Sequence, residues 1–271
     1  MNTFIGGLWK EYEDELNIEI GTLDYNLIIR PEGSTDSGSV YCRKKECTLG
    51  NLIADAFRNV VKSDLAFING GGIRTDLLKG EITREDIINI MPFFNNLYVK
   101  EVDGQTLLDA LEFIVSKYPN AFGGFLQVSG ITFDVNTSFK STVITDLDGM
   151  FTKVSGKRRV SNVKVNGEDL VPTKIYNLSI TDFIGECGDG YSMFTHWNVV
   201  NESIFDDSDS LSHYIRYDLK GKIPDDYKNE NTRIFIDKNN GDNDVHNDQN
   251  NLYREYIKKY RTLLLLLLLL V

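Results

Sequence analysis

The sequence LAFINGGGIR, residues 65–74, is a short apolar run that leads directly into three glycines. The run Leu65–Ile68 predicts a buried strand, and the glycines after it allow positive φ and a close approach of the backbone to a ligand. Asn69 offers a donor and an acceptor that suit a base edge, and Arg74 offers a planar fork that suits phosphate. A glycine turn with a surface arginine is the alternative, because glycine-rich strings are weak signals alone.

Amphipathic helices are predicted on both sides of this stretch. Apolar residues at helical spacing predict a helix over residues 48–61, with Thr48 as its N-cap. Thr83 caps a second helix, with Asp86 three residues further on in a variant of the capping box. A third helix is expected over residues 107–118.

Strands are predicted where apolar residues alternate with polar ones. We expect strands over residues 22–30 and 97–102, and a hairpin turn at residues 166–167 whose return strand is residues 176–180. The elements follow no steady βαβ rhythm. This order predicts an α+β domain with a largely antiparallel or mixed sheet.

The amino-acid composition indicates the class of protein and limits the kinds of molecule that it can bind. The 271 residues are 41% hydrophobic and 25% charged, which predicts a folded globular protein of one large or two small domains. The formal net charge of −11 excludes an ordinary nucleic-acid binder, because such proteins carry a basic face. A few placed arginines would have to hold an anionic substrate.

The two ends of the chain carry targeting questions. Residues 1–10 lack a basic start followed by an apolar run, so no signal peptide is expected. Residues 237–251 are rich in Asn and Asp and are expected to be disordered. The leucine run at residues 263–270 is too short to span a membrane, which takes about 20 residues. A truncated GPI signal and a truncated gene end both remain open, and with them membrane anchoring.

Two loops offer aromatic rings. Phe93 and Phe94 follow a proline between a predicted helix and a strand, where a ring can stack on a nucleobase or belong to the core. Tyr191 follows the Gly188-Asp189-Gly190 turn, where it is either a second ligand-facing ring or an edge tyrosine.

The cysteines are few. Cys42 and Cys47 can close a small disulfide if the chain turns back between them, or remain two unpaired thiols. They do not form a zinc site, because the remaining ligands are missing. Cys187 is left over.

Five motifs together resemble a known family. In order they are Cys42-Arg43 with Glu46-Cys47 and Gly50–Ala56, Asn69–Arg74, Pro92-Phe93, Phe125–Gly130, and Gly188–Tyr191. This order resembles that of 5′-nucleotidase C-terminal domains, a family that includes ecto-5′-nucleotidases and apyrases. The resemblance covers roughly residues 20–200. Each motif is modest alone, and the five in sequence are specific.

The resemblance implies a fold and a substrate site. It implies a four-layer α/β/β/α architecture and a disulfide between the first two cysteines. It implies that the base of an AMP-like nucleotide lies between Phe93 and Tyr191, with Asn69 on the base. Arg43 and Arg74 would reach the phosphate. The remaining substrate-binding positions are Gly71, Gly72 and Asp189.

The resemblance also implies a division of labour. Residues 1–20 would be the end of a linker helix, residues 21–238 the nucleotide-recognition domain, and residues 239–271 a polar tail with the leucine run. Hydrolysis of nucleoside 5′-phosphates would need a missing metallophosphatase domain with two divalent metal ions, typically zinc. No catalytic residue or metal ligand is expected in this chain. The family location is extracellular or at the cell surface.

Two departures from the family pattern affect the site. Cys187 stands where the family has glycine, which strains the turn if φ is positive there. Counted from Tyr191, the positions of the family's ribose-binding aspartate are His196 and Trp197, which leaves sugar recognition without its carboxylate. Two other readings therefore remain beside an enzyme fragment: a non-catalytic nucleotide-binding module, and a decayed duplicate that only folds.

Overall fold

A computed structural model describes residues 13–29, 38–230 and 232–237, with the backbone alone for residues 38–40. The described residues belong to one compact unit. Three predicted features lie outside them: the linker-helix residues before 13, most of the Gly/Ser loop that follows residue 30, and the tail from residue 238 onward with its leucine run.

Within the described residues, five complete α-helices and thirteen strands form, besides the helical residues 13–16 and several short 3-10 and π-helical turns. The helices are α1 (Thr48–Val61), α2 (Arg84–Ile90), α3 (Gly104–Ile114), α4 (Asp182–Gly185) and α5 (Asp207–His213). The strands are β1 (Glu19–Leu23), β2 (Leu65–Asn69), β3 (Gly80–Thr83), β4 (Asn96–Asp103), β5 (Leu126–Ser129), β6 (Ile131–Val135), β7 (Val143–Thr145), β8 (Phe151–Val154), β9 (Val160–Val165), β10 (Glu168–Asp169), β11 (Ile175–Thr181), β12 (Val199–Asp206) and β13 (Ile234–Ile236).

The two larger sheets are both mixed. In the five-stranded sheet the order is β12-β4-β11-β2-β5, with β11 and β2 parallel and the other neighbours antiparallel. In the four-stranded sheet the order is β10-β9-β6-β13, with β13 parallel to β6. Two further pairs, β1-β3 and β7-β8, are antiparallel. The predicted α+β fold with a mixed sheet is confirmed.

The position of strand β2 between two cores explains why its sequence is apolar without interruption. Leu65 and Phe67 belong to a core that contains α3 and the four-stranded sheet, whereas Ala66 and Ile68 belong to a second core that contains α1 and α5. Successive side chains of a strand point to opposite faces, so a strand covered on both faces needs apolar residues at every position. Strand β2 ends at Asn69, which therefore lies at one end of an inner strand of the sheet.

Several local predictions are confirmed. Thr83 and Asp86 form a reciprocal capping box at the start of α2. Asn166 and Gly167, both at positive φ, form the two-residue turn between β9 and β10. Helix α1 has the predicted bounds, although Cys47 takes the N-cap position and Thr48 begins the helix.

Two strand predictions are wrong in place or partner. The strand expected over residues 22–30 forms instead at Glu19–Leu23 and pairs with β3. Strand β11 does not return onto β9. It crosses to the five-stranded sheet between β4 and β2, because its alternate apolar residues Leu178 and Ile180 complete the core on that sheet. The return strand of the hairpin is the short β10.

Candidate functional site

A pocket of about 270 Å³ opens at the end of β2. It is lined by Arg43, Asn69, Gly71, Gly72, Phe93, Asn95, Gly123, Phe183 and Asp189. The structure therefore brings together six of the eight predicted substrate residues. Of the other two, Arg74 lies beside the pocket and Tyr191 lies beneath its wall.

The glycines let three segments meet without side chains between them. The amide of Gly70 donates to the Phe125 carbonyl at 2.7 Å, and that of Gly71 donates to Gly123 at 2.8 Å. A Cβ at Gly70 would lie 2.1 Å from the Cys42 carbonyl oxygen, so only glycine fits there. The glycine string closes the floor of the pocket by packing backbone on backbone.

Arg43 lies on a loop that is held on both sides. The structure contains the Cys42–Cys47 disulfide. The buried Gln127 amide donates to the Cys42 and Lys45 carbonyls and accepts from the Cys47 amide. The Nε of Arg43 is buried and makes no hydrogen bond within the described part of the chain. An unsatisfied guanidinium nitrogen at a pocket is a candidate anion contact.

Arg74 follows the glycines and bends back over them. Its guanidinium donates to the Gly71 carbonyl at 3.0 Å and lies 5.7 Å from the centre of the Phe93 ring. The ring and the guanidinium are thus neighbours at the pocket edge, and Phe93 remains 54% exposed. This placement leaves one face of the Phe93 ring free to stack on a flat ligand.

The turn that carries Asp189 has an uncommon backbone. Cys187, Asp189 and Gly190 have φ values of 72°, 53° and 94°. The condition stated for strain at Cys187 is met, because its φ is positive. The turn aims the Asp189 carboxylate into the pocket, where Oδ2 accepts a hydrogen bond of 2.8 Å from the Asn69 amide.

The predicted role of Tyr191 as a ligand-facing ring is wrong. Its side chain is fully buried, with its ring centre 4.9 Å from that of Phe113 and 5.8 Å from that of Phe194. Its hydroxyl donates to the Gly124 carbonyl at 2.5 Å, and burial raises the pKa of that hydroxyl well above its usual range. A ring without free faces cannot stack on a base, so Tyr191 supports the wall from below.

Phe183 is the second ring of the pocket, and the sequence interpretation missed it. It is 45% exposed and lies in the helical turn α4 directly after β11. The available signal was the position of this phenylalanine beyond the end of an alternating strand, where the core no longer requires it. Counted from Phe183, the sixth residue is Asp189, and both line this pocket. His196 and Trp197 line a different pocket.

The family model for the 5′-nucleotidase C-terminal domain matches residues 20–196, a range that includes every pocket residue. The chain belongs to this family. The trifunctional nucleotide phosphoesterase protein YfkN of Bacillus subtilis is 35% identical over 192 residues, which are 69% of this chain and 12% of that protein. The 5′-nucleotidase of Mus musculus is 31% identical over 203 residues, 69% of this chain and 33% of that protein.

A solved 5′-nucleotidase precursor of Thermus thermophilus superposes on this 5′-nucleotidase domain with a TM-score of 0.69 at 25% identity. The match covers 85% of this chain and 41% of that one. The chain spans about a third or less of the length of the curated relatives that it matches. It contains the C-terminal domain of the family, and the rest of each relative lies outside the match.

Asn95 is a further pocket residue that the sequence did not indicate. Its side-chain Nδ2 donates to Oδ2 of Asp207 at 2.8 Å, and its carbonyl oxygen accepts from the Asp207 amide at 2.9 Å. Asp207 is only 2% exposed, and burial raises its pKa from 3.8 to about 6. The sequence did not indicate Asn95 because residues 95 and 207 are far apart in the chain and meet only in the folded structure.

The described residues contain neither a metal-ion cluster nor a membrane-spanning helix. Among residues 13–29, 38–230 and 232–237, no group of three or more His, Cys, Asp and Glu side chains is arranged to hold a metal ion. Within those residues, no helix is both long and apolar enough to cross a bilayer.

Proposed function

We propose that this 5′-nucleotidase domain binds a nucleoside 5′-phosphate, with the base between Phe93 and Phe183. The observation that carries the proposal is that two half-exposed rings line the same pocket as a carboxylate and an arginine. Stacking of a base on an aromatic ring contributes about 1–3 kcal/mol. Exposed rings that gain a partner only when a flat ligand arrives fit this purpose.

The polar groups suit the rest of such a ligand. Asp189 accepts one hydrogen bond from Asn69 and keeps further acceptor capacity for the hydroxyls of a ribose. Arg43, with its unsatisfied Nε, and Arg74 beside Phe93 would hold the phosphate. Gly71 and Gly72 would let the ligand approach the backbone closely.

Hydrolysis is assigned to another part of a longer protein. The two divalent metal ions that the resemblance implies, typically zinc, find no fitting residues among those described here, so no chemical step is assigned to this chain. The relatives, which are about three times as long, support a separate metallophosphatase domain that receives the phosphate. In this proposal residues 21–238 form the nucleotide-recognition domain of a nucleotide phosphohydrolase.

We infer an extracellular or cell-surface location for the whole protein. Its support is the disulfide beside the pocket, because such bonds persist in oxidising compartments.

A stand-alone nucleotide-binding module is the second candidate. The observation in its favour is that one chain supplies the whole pocket. An AMP hydrolysis assay with zinc separates the two: phosphate release by the longer protein and not by this domain supports the phosphohydrolase.

Calorimetry with AMP and adenosine tests the binding proposal. Arg43→Gln should weaken AMP binding about tenfold or more and leave adenosine nearly unchanged, because a charge-assisted hydrogen bond contributes about 1.5–3 kcal/mol. Arg216→Gln, an exposed arginine over the Tyr217 ring, is the matched control. Absence of heat with both ligands at millimolar concentration would show that the pocket is not a nucleotide site.

A further inference from the structure

Two asparagines line the pocket, and each uses one of the two N–H donors of its side-chain amide in a hydrogen bond to a carboxylate. Asn69 donates through Nδ2 to Asp189, and Asn95 donates through Nδ2 to Asp207, each at 2.8 Å. Neither Oδ1 atom accepts a hydrogen bond from the described residues. An amide whose nitrogen is held in this way offers its carbonyl oxygen to a ligand.

Chemistry fixes the orientation of these amides. An ionised carboxylate accepts hydrogen bonds and cannot donate them, so only the NH₂ group of an asparagine can face it. For Asn95 the alternative rotation of the amide would place Oδ1 against the Asp207 carboxylate, which is unfavourable. The identity of the pocket-facing atom therefore follows from the charge of Asp207.

The two pairs differ in permanence. Asp189 lines the pocket, so a bound ligand competes with Asn69 for its carboxylate. Asp207 is buried and lies at the start of α5, where it also accepts from the Ser208 amide and its own amide donates to the Asn95 carbonyl. A ligand cannot reach Asp207, so the orientation of Asn95 persists when the pocket is filled.

Resting on the proposed function, we propose that Asn95, oriented by Asp207, selects nucleosides whose base carries an exocyclic amino group over those with a keto oxygen at the same position. Asn95 is on the loop that carries Phe93, which places its amide beside a base stacked on that ring. An amino group donates to Oδ1. A keto oxygen there would leave two acceptors facing each other, and this unmade hydrogen bond disfavours the keto base.

Asn95 is the specificity-determining residue in this scheme, and Asp207 is the positioning residue. Phe93 and Phe183 stack on either base equally well, so the rings provide affinity without choice. The Asn95 amide distinguishes the two kinds of base but contributes less to the binding free energy than the two rings do. The scheme therefore concerns the ratio of two affinities, and a general loss of structure would leave that ratio unchanged.

The test compares adenosine with inosine, which differ in the group at one ring position. Dissociation constants are measured by calorimetry at about pH 7.5, where Asp207 is ionised in the folded chain. The native domain should prefer adenosine about threefold to tenfold, the ratio that one neutral hydrogen bond of about 1 kcal/mol gives. Asn95→Ala should bring this ratio close to one.

Asp207→Asn separates orientation from structure. The new amide can donate as well as accept, so Asn95 can rotate, and the preference for adenosine should fall toward that of Asn95→Ala. Asn96→Ala, which alters the exposed neighbour, should retain the native ratio. Thermal melting of each variant checks that it is folded. Asp207→Asn is isosteric with the native residue, so the test does not depend on Asn95→Ala alone.

Each outcome has one meaning. Equal binding of adenosine and inosine by the native domain would overturn this inference and leave the proposed function standing. An unchanged ratio in Asn95→Ala, or a parallel weakening of both nucleosides in Asp207→Asn, would likewise overturn it. Absence of binding to either nucleoside would overturn the proposed function and the inference together.

Discussion

The pocket has two aromatic walls that are anchored by opposite kinds of group. The Phe93 wall, residues 92–95, is tied to α5 by a buried acceptor, the Asp207 carboxylate. The Phe183 wall, residues 182–191, is tied down by buried donors. Lys100 Nζ donates to the Gly185 and Phe194 carbonyls at 2.9 Å each, and the Tyr191 hydroxyl donates to Gly124.

This difference teaches how a pocket wall can stay rigid while its ring stays exposed. On the Phe183 wall the donors bond to main-chain carbonyls of separate segments, at Gly185, Phe194 and Gly124, and so tie these segments together. On the Phe93 wall the backbone already joins the sheet through β4, and the carboxylate orients one side chain. The donors of the Phe183 wall should therefore matter most for stability, and the acceptor of the Phe93 wall for pH dependence and specificity.

The largest effect is expected at Tyr191. Tyr191→Ala should lower the free energy of unfolding by about 4 kcal/mol, because it opens a cavity among packed rings. Tyr191→Phe keeps the packing and should lower it by only about 1 kcal/mol, the contribution of one hydrogen bond. Urea titration measures both. Loss of nucleoside affinity in Tyr191→Phe, with stability intact, would return Tyr191 to the ligand site.

Lys100→Met should lower the free energy of unfolding by about 3 kcal/mol. Lys100 is 4% exposed, and methionine preserves much of its apolar packing while removing both hydrogen bonds of the ammonium group. Lys153→Met, at an exposed strand position, is the control and should change stability by less than about 0.5 kcal/mol. Similar values for the two variants would show that the Phe183 wall does not depend on Lys100.

Asp207 should make stability fall as pH rises. Unfolded, it loses its proton near its ordinary pKa of 3.8; folded, it keeps the proton up to about pH 6. Between these values the unfolded chain binds fewer protons, so the free energy of unfolding decreases with pH by up to about 3 kcal/mol in total. Asp207→Asn should lack this decrease, as measured by urea titration from about pH 3.5 to pH 7.

The control for that profile is an exposed carboxylate. Asp226→Asn should keep the native decrease, because its side chain is solvated in both states. Parallel profiles for the native chain and Asp207→Asn would mean that the buried carboxylate does not carry the pH dependence.

The smallest effect is expected at Phe183. Phe183→Ala should weaken adenosine binding by about 1–3 kcal/mol, as for the loss of one stacking partner, while stability changes little because the ring is half-exposed. Calorimetry and urea titration on the same variant give both numbers. A stable variant with native affinity would exclude Phe183 from the ligand site.

Local chemistry in the sequence predicted much of the fold and part of the site. The capping box at Thr83, the turn at residues 166–167 and the bounds of α1 depend on residues within a few positions of one another, and all three formed. Gly71 and Gly72 also line the pocket together with Asn69, as expected. The partner of β11 was missed because a strand pairs with whichever edge completes the core, and alternation alone does not name that edge.

The sequence by itself determined the family, the mixed α+β fold and the floor of the pocket, because glycine spacing, caps and periodicity act locally. Only the tertiary structure decided which aromatic ring faces solvent. Phe183 and Tyr191 lie eight residues apart on one loop, and packing against Phe113 and Phe194 buries the second while leaving the first exposed. Burial depends on what surrounds a residue in space, and sequence spacing does not record it.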